Sequence, residues 1–227
     1  MKTRLILGCV LVFASFGVFA GAATFSGATN DGINLSVTDT DAAATDVIVL
    51  SSTLKVPGSK KDLLIGVSIE SGVFTQTEVK GQKGESETAT ASGTIAITVL
   101  IDGVPVAPGM IQFNHREQTL SATLGGVLES CTFDVNDFGS VTFTKDDCIW
   151  TDEDINLMLE TTTANHFNFI APNVGQGEHD IEVVADVSAA ASSDAKGSAS
   201  SWAVINIGSL SVEVVRSANT DDGITID

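Results

Sequence analysis

Tyrosine is missing from all 227 residues, and tryptophan occurs only twice. Sugar-binding and base-binding surfaces usually stack their ligands on such rings, so broad aromatic platforms are scarce in this chain. Positive charge is also sparse. Eleven Lys and Arg stand against 29 Asp and Glu, a net charge of −18. A chain this acidic repels phosphates, which argues against nucleic acid and anionic membrane surfaces as partners. Proline occurs four times and cysteine three times. No apolar run after residue 20 is long enough to cross a membrane as a helix. At 43% hydrophobic and 18% charged residues, the composition is that of a folded protein rather than a disordered one.

The first 23 residues read as a signal peptide. Lys2 and Arg4 precede an uncharged apolar run from Leu5 to Ala20, and Ala20-Gly21-Ala22 has the small-x-small pattern of a cleavage site. Its removal leaves 9 Lys and Arg against 29 acids, a balance of −20. It also removes Cys9, leaving Cys131 and Cys148. An even pair in an exported protein predicts a disulfide. The expected location is outside the cytoplasm, secreted, periplasmic or at the cell surface. Residues 217–227 read as a flexible acidic tail.

Between these ends the hydrophobic period is 2. Ile95, Ile97 and Val99 alternate with smaller or polar residues, as do Leu120, Ala122 and Leu124. His179, Ile181, Val183, Ala185 and Val187 share one face, with Asp180, Glu182 and Asp186 on the other. Half-buried antiparallel strands require this pattern. Asp102-Gly103 between Ile101 and Val104 is a hairpin signal, because both residues tolerate positive φ. The expected fold is all-β, an antiparallel β-sandwich of Ig-like or jelly-roll-like kind, forming one domain over residues 24–216. Residues 80–92 and 188–200, rich in Gly, Ser and Ala, read as loops or as strand ends with small side chains. One short helix is predicted over 152–163, with Thr151 as N-cap, acids in the first turn, and a stripe of Ile155, Met158, Leu159 and Thr162.

Acid concentrates in 131–154, CTFDVNDFGSVTFTKDDCIWTDED. Asp134, Asn136 and Gly139 occupy positions 1, 3 and 6 of an EF-hand-type calcium loop, but Phe138 and Lys145 stand where ligands at positions 5 and 12 belong. A calcium site using Asp134, Asn136, Asp137, Asp146 and Asp147 is therefore one reading. An acidic turn stapled by Cys131 and Cys148 is the other. Calcium is the one cofactor the sequence suggests. His115, His166 and His179 are too scattered for a zinc motif. His179 reads as a hydrogen-bonded imidazole at the edge of the core.

The segments ITVLIDGVPV (97–106), QTLSATLGGVLESC (118–131), NHFNFIAPNVGQGEHDIEVVADV (165–187) and GSLSVEVV (208–215), with Gly177-x-His179-x-Ile181-x-Val183 after a turn, resemble uncharacterised secreted bacterial β-sandwich proteins. The resemblance implies a sandwich and supplies no activity or ligand. The functional expectation is a non-catalytic protein with a structural or binding role toward a protein or glycan. A calcium-dependent glycan-binding module is the alternative, and a hydrolase grafted on the sandwich is a third reading.

Overall fold

The computed structural model describes residues 25–215 apart from 31–32, 39, 59, 136–137 and 143. The expected signal peptide, the expected tail, Asn136 and Asp137 lie outside the described residues. The strands are β1 (Phe25–Asn30), β2 (Ile33–Thr38), β3 (Asp41–Val56), β4 (Lys61–Gly81), β5 (Glu85–Ile101), β6 (Val104–Pro105), β7 (Ile111–Leu124), β8 (Val127–Cys131), β9 (Asp134–Val135), β10 (Val141–Thr142), β11 (Cys148–Thr151), β12 (Glu153–Val174), β13 (Gly177–Ser193) and β14 (Gly197–Val215).

Two antiparallel sheets pack as a sandwich. One has the order β1-β14-β4-β12, with β2 following β1 along the same edge of β14. The other has the order β3-β13-β5-β7, with β6 lying beyond β7 along β5. The chain changes sheet at most connections; the exceptions within the two sheets are β1 to β2 and the run β5, β6 and β7. This is the strand order of a jelly roll, which separates the two sandwich types left open by alternation alone. Asp102 and Gly103 take φ of 51° and 79°, so the β5–β6 turn has the predicted positive-φ pair.

The buried rows are those expected. Ile95, Ile97, Val99, Ile181, Val183, Ala185 and Val187 all face the interior. The core is in two parts. A large cluster built on Leu63, Ile65, Val67, Phe169, Ile181 and Val183 fills the end where β5 and β12 finish. A smaller one, of Val79, Ala89, Ala91, Leu124, Ala189, Ala191 and Ala199, fills the end where they start. The buried polar side chains Thr75, Thr77, Gln118 and Ser201 lie between the two, while Ser71 sits within the large cluster between Ile69 and Val73. Residues 80–92 and 188–200 are thus mainly strand ends joined by tight turns, and their small side chains let the sheets approach.

The predicted helix at 152–163 is not formed; those residues are the start of β12, paired with β4 from Glu153↔Gly81 onward. Among the described residues the one helical element is a 3-10 turn, Lys145–Asp147. The stripe Ile155, Met158, Leu159 and Thr162 fits a helical period, but Ile155, Leu157 and Leu159 fit period 2 equally well. The partner strand decides it, because β4 offers 21 residues of backbone that pair only if β12 is extended. Ile155, Leu157 and Leu159 then share the inward face, opposite Val79, Thr77 and Thr75.

Candidate functional site: a stapled finger at one end and a His–Asp cavity at the other

Between β7 and β12 the chain leaves the sandwich as a finger. Gly126, at φ 76°, starts it, and a Cβ there would stand 2.6 Å from the Gln82 Cβ. β8 pairs with β11, and β9 with β10. Cys131 and Cys148 are directly opposite in the β8–β11 ladder and form the predicted disulfide.

Above the disulfide, Thr144 caps the 3-10 turn. The Thr144 N–H donates to Asp147 Oδ2 at 2.6 Å, and its hydroxyl donates to the same oxygen at 3.0 Å. The Asp147 carbonyl accepts from the Thr132 N–H at 2.9 Å. Asp147, one of the predicted calcium ligands, therefore serves the backbone of its own loop. Asp134 and Asp146 are exposed. Among the described residues no group of three or more His, Cys, Asp or Glu is placed to hold a metal ion.

The finger also exposes large apolar side chains. Val127, Leu128, Phe133, Val135, Val141 and Ile149 are all exposed, and Phe138 at the tip is 95% exposed. Phe133, Phe138, Phe143 and Trp150 read in sequence as a cluster around the acidic loop, either a contact patch or packing under the loop, and Phe143 lies outside the described residues. Phe133 and Phe138 are at the surface, and Trp150 is half-buried. Exposed apolar residues gathered on one element mark interaction surfaces more often than singly scattered ones.

At the opposite end, a cavity of about 320 Å³ opens beside the β5–β6 turn, lined by Ile101, Val106, Ile170, Val174, Asp102 and His179. His179 Nδ1 lies 2.7 Å from Asp102 Oδ2, and Nε2 lies 3.2 Å from the Gly175 carbonyl. The other Asp102 oxygen accepts from the Asp180 N–H at 3.0 Å. The Asp102 carboxylate raises the His179 pKa above the ordinary imidazole value, aided by the Gly175 carbonyl and opposed by burial. The bonds from His179 and the Asp180 N–H hold Asp102 below its ordinary value.

Both ring nitrogens face acceptors, so the arrangement suits an imidazolium donating twice. It ties the 102–103 turn to the 175–177 turn and leaves no ring lone pair to take up a proton. His179 is the hydrogen-bonded imidazole expected. Asp102 as its partner was hidden, because a turn Asp before Gly is already explained by its backbone role. His166 and His115 bond only nearby side chains, Ser68 and Asn168 for the first and Thr94 for the second.

No family model matches this chain. No curated protein matches it either. Among solved structures, the Eiger TNF of S. frugiperda is 10% identical, with 89% of this chain and 100% of that one covered, at a TM-score of 0.20. The infectious bursal disease virus Gx strain structure is 9% identical, with 86% and 41% covered, at a TM-score of 0.13. Likeness at this level says nothing of what the chain does.

Proposed function

We propose that this chain is an exported, non-catalytic β-sandwich that works by contact, binding a protein or glycan outside the cell through its stapled finger. The observation that carries the reading is the finger itself. It holds a run of exposed apolar side chains ending in Phe138, on a ladder closed by Cys131–Cys148 and flanked by acids. Exposing these groups to water is unfavourable by roughly 25 cal/mol per Å² of apolar surface, a cost recovered when a partner covers them. The apolar segment at 5–20 and the disulfide favour an oxidising location.

The test adds the fluorescently labelled chain to intact cells and matrix of its source. Saturable retention is expected, with loss on replacing Val135, Phe138 and Val141 together by Ser. Equal retention of the variant, or turnover of an ester, glycoside or peptide by the wild-type chain, would overturn the reading.

A further inference from the structure

A second surface, independent of the finger, lies along β12. This strand ends its sheet, and its only ladder partner among the described residues is β4. Its pairing runs from Glu153 to Ala171 without a bulge, and its one proline is Pro172, near its end. Bulges, prolines and lysines are the usual protections of a long edge strand, and β12 has no lysine at all.

Residues 153–160 of β12 are exposed on both faces. Ile155, Leu157 and Leu159 point inward yet remain about 40% exposed, because no strand among the described residues closes the side of the sandwich between β12 and β7, which is crossed by the Gln118 bond to the Leu157 carbonyl and the Arg116 bond to the Thr161 hydroxyl. Leu120 and Ala122 of β7 are half-buried on the facing sheet. Farther along the same side, a groove of about 260 Å³ runs between Ile111–Phe113 and Asn165–Phe167.

An edge with no second strand beside it among the described residues, bearing alternating apolar side chains next to an open slot, is built for one more strand, and the Leu157 carbonyl that accepts from Gln118 keeps a second lone pair for it. We propose that the β12 edge over residues 153–163 takes up an extended, lysine- or arginine-bearing segment of another protein as an added antiparallel or parallel strand. Backbone pairing along the edge supplies affinity. Alternate apolar residues of the segment enter the slot beside Ile155, Leu157 and Leu159.

Charge chooses this occupant over a second copy of the chain. Asp152, Glu153, Asp154 and Glu160 line the edge, and no lysine or arginine stands on β12. The nearby Lys80 pairs with Glu78, and Lys196 with Glu85, lying 3.8 Å from Asp152. Arg116 is turned inward to the Thr161 hydroxyl. Two copies joined along β12 would bring these acids together, whereas a cationic strand neutralises them.

The probe is a capped peptide alternating valine with lysine and threonine. Its binding to the purified chain is followed by fluorescence anisotropy, and hydrogen exchange locates it. Protection is expected over residues 153–163. Binding should weaken at least about ten-fold in Leu157→Lys with Leu159→Lys. It should weaken similarly in Glu153→Lys with Asp154→Lys and Glu160→Lys, a set that leaves the apolar slot intact. Phe138→Ser should bind as wild type does. Protection on the finger, binding lost in Phe138→Ser, or equal binding of a peptide with aspartate in place of lysine would overturn the proposal. So would a dimer of the chain alone that both β12 variants abolish, since the occupant would then be a second copy.

Discussion

Gln118 shows how much one side chain can hold here. It is buried on β7, accepts from the Thr75 hydroxyl at 2.9 Å, and donates to Thr77 Oγ1 at 2.6 Å and to the Leu157 carbonyl at 2.9 Å. It thereby ties the edges of the two sheets together. Gln118→Ala should cost about 1–3 kcal/mol, because polar atoms of Thr75, Thr77 and Leu157 lose their partner in the interior. Replacing Thr75, Thr77 and Gln118 together by Val, Val and Leu should cost less than the single change. Urea denaturation of the two proteins checks the order.

The His179–Asp102 pair gives a pH signature. With its pKa raised on folding, His179 adds stability that is complete below the ordinary imidazole value and disappears as pH rises through the folded one. With its pKa lowered, Asp102 adds stability that is present above the ordinary carboxylate value and disappears as pH falls through the folded one. The joint contribution is therefore largest between about pH 4 and 6.5. Asp102 is half exposed, so the pair is worth no more than about 1 kcal/mol. His179→Gln should flatten the decline in melting temperature from pH 6 to 9, and parallel curves for the two proteins would contradict the assignment. The placement of His179 was readable from its position in an alternating row. The Asp102 contact was not, since it joins residues 77 apart in sequence.

At the scale of elements, the finger and β12 divide what the chain revealed from what it concealed. The disulfide was readable from an even cysteine count after the apolar leader. It closes the root of the finger with a sequence separation of 17, equivalent to about 3 kcal/mol of loop-closure entropy. That stabilisation belongs to the finger rather than to the sandwich. Cys131→Ser with Cys148→Ser should make residues 132–147 cleavable by a protease at low dose, while hydrogen exchange at Ile181–Val187 stays slow. Slow exchange lost at both places would show that the finger also supports the sheets.

The strand over 153–163 was concealed because local cues favoured a helix. Thr151 could cap one, Asp152, Glu153 and Asp154 suit its first turn, and Met158 blurs a two-residue period. Tertiary pairing with β4 overrode those cues. Residues 80–92 and 188–200 were equivocal for another reason. Alanines at 89, 91, 189 and 191 alternate correctly, yet alanine is too small to distinguish a buried row from a polar turn by hydropathy alone.

For the whole molecule, alternation and turn chemistry carried the fold class, since Ile181–Val187 and Ile95–Val99 both face inward. Strand order could not be read, because period 2 tells which face is buried and not which strand is adjacent. The jelly-roll order rests on pairings such as β4 with β14 that join distant parts of the chain. The main cluster depends on a few large groups. Phe169 is fully buried and meets Phe167 edge-on at 5.2 Å between ring centroids. Phe169→Ala should cost about 3–5 kcal/mol, a large part of the roughly 5–15 kcal/mol typical of a whole domain. Thermal or urea unfolding of this variant measures it directly.

The division of the core by Thr75, Thr77, Gln118 and Ser201 bears on how the molecule would take a pull. Tension delivered at the finger arrives first at the alanine-filled storey, which has the fewest grips between its walls. That storey would part first, while the Ile, Val and Phe storey beyond keeps its shape.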